Sequence, residues 1–305
     1  MMHIEQRLQA VRQLMVQEGI DALVVPRADE HLGEYLPAHN ERLLWVSGFT
    51  GSAGAAVILR ERAAIFVDGR YTVQVRKQVD AQLFEYCDLL QQPPLQWLLQ
   101  QLPAGSRVAC DPRLHSLRWY RDTVAALAAA KMQLYVTQDN VIDRCWAQRP
   151  QALVAPALLL DQAFTGESSA GKRGRMAAEI AAADCDAALV FAPDSVSWLL
   201  NIRGRDIPRL PVVQSFALLL ADASLMLFIH PARIPPGFNQ HVGDDVRVVP
   251  ADEADTILAT MTGKRILTDP EAANAWTQLA LEQAGATLVT GEDPVLLAKA
   301  CKNPV

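Results

Sequence analysis

Two short apolar runs lie close together in the chain, and both have the composition of buried β-strands. They are AAVIL (55–59) and AAIFV (63–67). Both contain β-branched residues and are bounded by turn-forming or charged residues, as strands of a buried sheet are. Because only Arg60, Glu61 and Arg62 separate them, the pattern predicts a tight antiparallel hairpin.

Strands and helices alternate along the rest of the chain, in a similar order in each half. In the first half, a helix over 4–18 and a strand over 20–26 precede the hairpin. In the second, a helix over 171–183 and a strand over 185–193 precede a long β region at 212–230. Such alternation is typical of α/β domains, and the hairpins add antiparallel pairs. We therefore predict an α/β fold with two related domains, each a mixed β-sheet flanked by helices.

Four aspartates support a duplication. Asp21 and Asp186 each begin a strand after a helix, while Asp111 and Asp269 each precede a proline where a strand ends before a helix. A repeated order of this kind indicates repeated structural units.

The segment between the halves, roughly 137–165, has no clear periodicity and contains Pro150 and Pro156. It is the predicted linker. We accordingly expect a first domain over 1–150 and a second over 151–305.

Length and composition limit the functional classes. The 305 residues suffice for two domains with their own cores, and 50% hydrophobic with 20% charged residues disfavour disorder. The net charge of −6 gives no electrostatic reason to expect nucleic acid or an anionic membrane as partner, and no run approaches the length of a membrane span. Five widely spaced cysteines fit reduced thiols. We expect a soluble, cytoplasmic protein.

One motif resembles a phosphate-binding loop but departs from it at a necessary position. Gly166 to Lys172 satisfy the spacing GxxxxGK, yet Arg173 stands where Ser or Thr would bind magnesium. We expect Ser168 or Ser169 to cap the following helix instead.

Other candidate sites are weak. Gly48, Gly51 and Gly54 lead into a strand and not a helix, so we expect a backbone bend and no phosphate site. The six histidines show no HxH or HxxxH spacing, and GxSxG is absent from the sequence. We therefore predict no catalytic residue and no metal ligand in this chain.

Arg70 stands apart because of its position. It lies in Asp68-Gly69-Arg70-Tyr71, directly after the second strand of the hairpin and before a helical run. A guanidinium group at such a turn can bind a carboxylate or a carbonyl with two donors. It can equally form a surface ion pair with Asp68. The residues alone leave both interpretations open, and Tyr71 is expected to help shape the turn.

Several segments together resemble the N-terminal region of Xaa-Pro aminopeptidases (aminopeptidase P). The most specific are SGFTGSAG (47–54) and DGRY (68–71). The stretches GEYLPAHNERLLWVSGF (33–49), DSVSWLLNIRG (194–204) and DPVLLAKACKN (293–303) match further landmarks of that family in the same order. The resemblance covers nearly the whole chain.

This resemblance implies two tandem domains of the creatinase N-terminal type, with the catalytic pita-bread domain absent from the chain. In that family, two divalent metal ions, usually manganese, are held in the absent domain and act on peptides with proline at the second position. The resemblance also implies homodimers formed largely through that domain. From the DGRY motif, Arg70 is the implied substrate-binding residue. The chain itself is expected to bind no cofactor and to be inactive alone.

A second hypothesis is a binding module. The same domain types also precede catalytically inactive pita-bread domains, including one in a histone chaperone. The close matches at SGFTGSAG and DGRY and the absence of an acidic tail in the sequence argue against it. Retention or loss of the family's five metal ligands after Val305 would separate the two hypotheses.

We predict that the purified chain retains no stoichiometric manganese or zinc after dialysis, because its sequence contains no cluster with ligand spacing. Elemental analysis measures this directly. One tightly held equivalent of either metal per chain would show that a site was overlooked.

Overall fold

The computed structural model describes residues 2–305, which form two compact units. The first comprises the described residues up to Asp29 together with Glu34–Gln151, and the second comprises Glu30–Gly33 with Ala152–Val305. Each unit contains a six-stranded mixed sheet with helices on both faces. The predicted fold class is confirmed.

The first unit is built from six strands and six α-helices. The strands are β1 (Ala22–Pro26), β2 (Ala55–Leu59), β3 (Ala63–Val67), β4 (Glu85–Asp88), β5 (Arg107–Cys110) and β6 (Gln133–Val136). The helices are α1 (Ile4–Gln17), α2 (Arg42–Ser47), α3 (Thr72–Gln78), α4 (Pro94–Gln101), α5 (Leu117–Ala129) and α6 (Val141–Cys145). Helices α1, α2 and α6 contribute to the core on one face of the sheet, and α4 and α5 to the core on the other.

The sheet of the first unit has the order β4-β3-β2-β1-β5-β6. Strand β2 is antiparallel to both β1 and β3, whereas the other neighbouring strands are parallel, so the predicted hairpin is confirmed. All strands except β2 therefore end at one edge, which we call the carboxyl edge. At this edge Pro26 pairs with Ala55, and Ala55 pairs with Phe66.

The second unit has eight strands and seven α-helices. The strands are β7 (Leu158–Leu159), β8 (Ala187–Val190), β9 (Ile202–Arg203), β10 (Phe216–Leu220), β11 (Leu225–Phe228), β12 (Val246–Val249), β13 (Arg265–Thr268) and β14 (Thr287–Thr290). The helices are α7 (Gln162–Thr165), α8 (Ser169–Ala182), α9 (Pro193–Leu199), α10 (Phe238–Val242), α11 (Ala254–Leu258), α12 (Ala275–Gln283) and α13 (Pro294–Ala300). Strands β7 and β9 form a separate antiparallel pair.

The second sheet, β12-β11-β10-β8-β13-β14, repeats the strand order and directions of the first. Equivalent aspartates perform the same task in both. The Asp21 backbone N–H donates to the Arg107 carbonyl at 2.9 Å, and the Asp21 carboxylate accepts from the Arg107 N–H at 2.9 Å. Asp186 makes the corresponding pair with Arg265 at 2.8 Å in both directions. The predicted duplication is therefore present in the hydrogen bonding as well as in the topology.

The β region predicted over 212–230 is shorter than expected. It consists of the β10–β11 hairpin, preceded by residues 212–215 outside any strand and interrupted by a turn at 221–224. Ser224 and Asp222 form that turn, in which the Asp222 carboxylate accepts from the Ser224 backbone N–H at 2.9 Å.

The prediction that all of 137–165 is an irregular linker is wrong at both ends. Asn140 caps α6 by accepting from the Ile142 N–H at 3.0 Å, and Val141 and Ile142 are buried in the core of the first unit. The far end contains β7 and α7. A helix as short as α6 produces no readable periodicity, and this explains the error. The exposed stretch without regular structure is confined to about 147–156.

We expect limited digestion with a protease of broad specificity to cut first within 147–156, because exposed irregular backbone is cleaved before buried elements. Mass spectrometry of the first fragments locates the cut. First cuts within α6 or in the β2–β3 hairpin would contradict this core assignment.

Candidate functional site

The Asp68-Gly69-Arg70-Tyr71 turn lies directly after β3 at the carboxyl edge. Gly69–Tyr71 form one turn of 3-10 helix that continues into α3. The Asp68 carboxylate accepts the Arg70 backbone N–H at 2.9 Å, as aspartates commonly do at helix starts. The backbone that carries Arg70 is therefore held in one conformation by its own turn.

The Arg70 guanidinium forms an ion pair with Asp68. Arg70 Nη2 lies 2.7 Å from Asp68 Oδ2, and Arg70 Nε lies 3.1 Å and 3.2 Å from the two carboxylate oxygens. The Arg70 side chain is nevertheless 66% exposed, against 19% for Asp68. Among residues 2–305, the Arg70 side chain donates hydrogen bonds to Asp68 alone, through Nε and Nη2. The surface ion pair with Asp68 is therefore present, and the exposed guanidinium keeps N–H donors that a ligand could use.

The charge state of this pair is secure near neutral pH. Hydrogen bonding from the Arg70 side chain lowers the pKa of Asp68, and the same bond raises the pKa of Arg70. Because the pKa of Asp68 is depressed in the folded state, both groups are fully charged at any pH above the usual pKa range of aspartate. The ion pair is lost only as the pH falls through the lowered pKa of Asp68.

Tyr71 joins the turn to the glycine-rich loop. Its hydroxyl lies 2.6 Å from Ser52 Oγ, and this hydrogen bond lowers the pKa of Tyr71. The Tyr71 ring meets the buried Phe49 ring edge to face, with centroids 5.6 Å apart, while the Arg70 guanidinium lies 5.3 Å from the Tyr71 ring centre. The expectation that Tyr71 helps to shape the turn agrees with these contacts.

The glycine-rich loop, residues 48–54, is a tightly packed bend. A Cβ at Gly51 would lie 2.1 Å from Phe49 Cζ, and one at Gly54 would lie 2.9 Å from the Phe66 carbonyl oxygen. The loop leads into β2 and not into a helix. These glycines therefore serve close packing, as expected, and the geometry offers no helix start for a phosphate.

The loop is also tied to α3. Thr50 Oγ1 accepts from Gln74 Nε2 at 2.9 Å and from Gln78 Nε2 at 2.8 Å, and the Thr50 backbone N–H donates to Gln78 Oε1 at 3.0 Å. The loop and the helix that follows the DGRY turn are thus joined by hydrogen bonds, and together they hold the backbone at Arg70 in place.

Sequence reasoning missed Arg27, which supports the same loop from β1. Its backbone N–H donates to the Gly54 carbonyl at 3.0 Å, and Nη1 donates to the carbonyls of Ser52 at 3.1 Å and Glu34 at 2.7 Å. Nη2 lies 3.4 Å from Glu41, whose pKa is raised by burial and lowered in part by Arg27. A charged residue directly after the buried run ALVVP was the available signal.

The GxxxxGK segment is structural. Ser168 caps α8 by accepting from the Gly171 N–H at 3.1 Å, which confirms the predicted cap. Lys172 is only 2% exposed, and its Nζ donates to the Trp198 carbonyl at 3.0 Å and to Asn201 Oδ1 at 2.6 Å. Burial lowers the pKa of Lys172 to about 8. With its lysine engaged in the core, the segment is not shaped to cradle phosphates.

Neither a metal centre nor a membrane span emerges within residues 2–305. In that part of the chain, no three His, Cys, Asp or Glu side chains gather closely enough to hold a metal ion. No helix there is long and apolar enough to cross a bilayer.

Both units match known family models. Residues 7–145 match one model of the creatinase/prolidase N-terminal domain, and residues 148–305 match a second. The chain belongs to the creatinase/prolidase N-terminal domain family. Two tandem domains of this family account for nearly all of the chain, as the sequence resemblance implied.

Relatives of this creatinase/prolidase chain are Xaa-Pro aminopeptidases. It is 34% identical over 316 aligned residues to Xaa-Pro aminopeptidase ApepP of Drosophila melanogaster, covering 98% of the chain and 51% of that protein. It is 36% identical over 231 residues to human Xaa-Pro aminopeptidase 2, covering 74% of the chain and 34% of that protein.

A solved relative covers the entire chain. The X-prolyl aminopeptidase of Caenorhabditis elegans, described as a cytosolic enzyme with a di-nuclear active site, matches 100% of this chain and 52% of its own with a TM-score of 0.91 and 27% identity. This chain therefore spans between about a third and about half the length of these three relatives.

We expect Gly54→Ala to destabilise the first unit by about 1–3 kcal/mol, because the new methyl group would press on a backbone carbonyl that cannot move aside. Gly69→Ala is the matched control, since its Cβ would meet nothing within 4 Å. Thermal melts of both variants measure the difference. Equal melting temperatures would contradict the packed description of the loop.

Proposed function

We propose that this chain is the non-catalytic N-terminal portion of an Xaa-Pro aminopeptidase, a metallo-exopeptidase that removes the N-terminal residue preceding proline. In this proposal, the two domains shape access to a metal site outside the chain, and Arg70 contacts the peptide. The observation that carries it is the match to ApepP along 98% of the chain.

The DGRY turn supports the substrate role of Arg70. An exposed guanidinium whose backbone is held in one conformation loses little conformational freedom when it binds a carbonyl or carboxylate oxygen. Asp68 holds the side chain in place, so Arg70 is oriented before a peptide arrives. Peptides with proline second need orientation from other groups, because the proline nitrogen carries no hydrogen to donate.

The chemistry belongs elsewhere in the proposed enzyme. The solved relative has a di-nuclear active site, and the residues described here do not fit one, since no ligand cluster occurs within 2–305. We propose two divalent ions, manganese by analogy with the resembled family, in the catalytic domain. We further propose a cytoplasmic location, since the solved relative is a cytosolic enzyme, and a homodimer assembled through the catalytic domain.

The test uses the full-length enzyme that the proposal implies, assayed on an Xaa-Pro peptide. We expect Arg70→Ala to lower kcat/KM by about ten- to a hundredfold, because a charge-assisted contact to substrate is lost. Arg70→Lys should recover activity only in part, since an ammonium group keeps the charge but not the planar pair of donors. The melting temperature should change little because the side chain is exposed.

Arg76→Ala is the matched control, because Arg76 is an exposed arginine on the adjacent helix α3. It should leave kcat/KM unchanged. If Arg70→Ala kept full kcat/KM and lost thermal stability, Arg70 would be a structural ion-pair partner only. If the wild-type enzyme cleaved no Xaa-Pro peptide, the proposed activity itself would be wrong.

A further inference from the structure

An open groove of about 820 Å³ lies in the second unit, beside the β7–β9 pair. Its walls come from two stretches of chain, 155–158 and 203–211. Prolines and leucines from both stretches make much of the wall apolar, and the volume is in the range of small-molecule sites. Because Arg203, Arg205 and Arg209 also line it, we call it the arginine groove.

The arginine groove carries positive charge that no carboxylate of its walls balances. Within the part of the chain that the structure describes, the exposed side chains of Arg205 and Arg209 have no hydrogen-bond or ion-pair partner. Arg203 is half-buried, and its Nη1 donates to the backbone carbonyls of Ile202 at 2.9 Å and Ser197 at 3.4 Å. Burial lowers the pKa of Arg203, and no acidic group offsets this effect. The described groove therefore favours an anion.

The single carboxylate of the 203–211 loop is turned away from the groove. Asp206 is only 3% exposed, and its Oδ2 accepts from the Gln214 backbone N–H at 2.7 Å and lies 2.9 Å from Arg233 Nε. A Cβ at Gly204 would lie 2.2 Å from the Val212 carbonyl oxygen, so the backbone on the two sides of the loop is in close contact. The loop is thus anchored to the second unit, while its exposed guanidinium groups keep free donors.

Arg209 adopts a backbone conformation that is unfavourable for a residue with a side chain. Residues 207–210 form a tight turn, in which the Leu210 N–H donates to the Ile207 carbonyl at 3.2 Å. Pro208 is the first central residue of this turn, and Arg209 is the second, with a φ of +68°. Glycine or asparagine is usual at this position, because other side chains disfavour positive φ. Strain of this kind is concentrated where a side chain serves a ligand.

We propose that the arginine groove binds a carboxylate that carries an apolar group, with the carboxylate on Arg205 and Arg209 and the apolar group against the prolines and leucines. Guanidinium groups bind carboxylates through paired N–H donors, and the apolar wall removes the rest of the ligand from water. A free organic acid and an acidic side chain beside apolar residues of a peptide carry this same chemistry. The proposal goes beyond the proposed function and does not rest on it.

The test titrates the 305-residue chain at low salt with three compounds. They are 4-methylpentanoate, the neutral 4-methylpentanamide, and acetate, which lacks the apolar chain. Calorimetry measures the affinities, and ¹⁵N NMR follows the arginine side chains. We expect 4-methylpentanoate to bind saturably and about tenfold or more tightly than either control, because the charge and the apolar group each contribute. The Nε signals of Arg205 and Arg209 should shift on binding.

Substitutions assign the contact to the two exposed arginines. Arg205→Gln combined with Arg209→Gln should reduce the affinity for 4-methylpentanoate to that for the amide. Arg247→Gln is the matched control, because Arg247 is an exposed arginine on β12 outside the groove, and it should leave the affinity unchanged. Arg209→Gly relieves the positive φ, so it should weaken binding without lowering the melting temperature.

Absence of saturable 4-methylpentanoate binding at millimolar concentration would overturn the proposal, as would equal binding of the amide or full affinity in the double variant. Binding without a shift of the Arg205 and Arg209 signals would also refute the site, even if a variant did not fold. Competition by an acetyl-Leu-Glu-Leu amide, but not by its glutamine counterpart, would identify a peptide carboxylate as the occupant. Binding of the free acid without such competition would identify a small molecule.

Discussion

The antiparallel placement of β2 between β1 and β3 is the constraint on which the first unit depends. It leaves β2 running against the parallel strands, so the start of β2 and the ends of its neighbours meet at the carboxyl edge. The glycine-rich loop enters β2 at this edge, and the DGRY turn leaves β3 beside it. The short turn at 60–62 sets the register of the β2–β3 hairpin, in which Ile58 pairs with Ala63.

Rigidity at this edge comes mostly from close contacts of small residues and from hydrogen bonds between uncharged groups. Gly51 and Gly54 allow the loop to lie on Phe49 and β3, and Thr50 is held by α3. Two charged groups add to these contacts, Arg27 at the end of β1 and Asp68, whose carboxylate accepts the Arg70 backbone N–H. The result is a fixed turn that presents an exposed guanidinium, and the proposed contact of Arg70 with the peptide rests on this combination.

The second unit shows what the duplication keeps and what it changes. The sheet topology and the aspartate that joins two strand starts occur in both units. Helix α8 of the second unit, however, buries Lys172 and Arg173, and each binds backbone carbonyls of the same unit. The GxxxxGK segment, which resembles a phosphate loop in sequence, is thereby explained by packing alone.

The predictable features were the local ones. The β2–β3 hairpin, the DGRY turn and the Ser168 cap each depend on a few adjacent residues, and sequence patterns describe them well. The role of Arg27 depends on Ser52, which is 25 positions away. Helix α6 was missed because five residues are too few to show a period.

The central claim is that Arg70 contacts the peptide from a preformed turn. A crystal structure of the full-length enzyme with a bound Xaa-Pro peptide or a non-cleavable analogue tests it most directly. The account predicts a guanidinium nitrogen of Arg70 within about 3.2 Å of a peptide oxygen, with the Asp68 carboxylate still accepting the Arg70 backbone N–H. A bound peptide beyond hydrogen-bonding distance, with Arg70 paired to Asp68 alone, would contradict it.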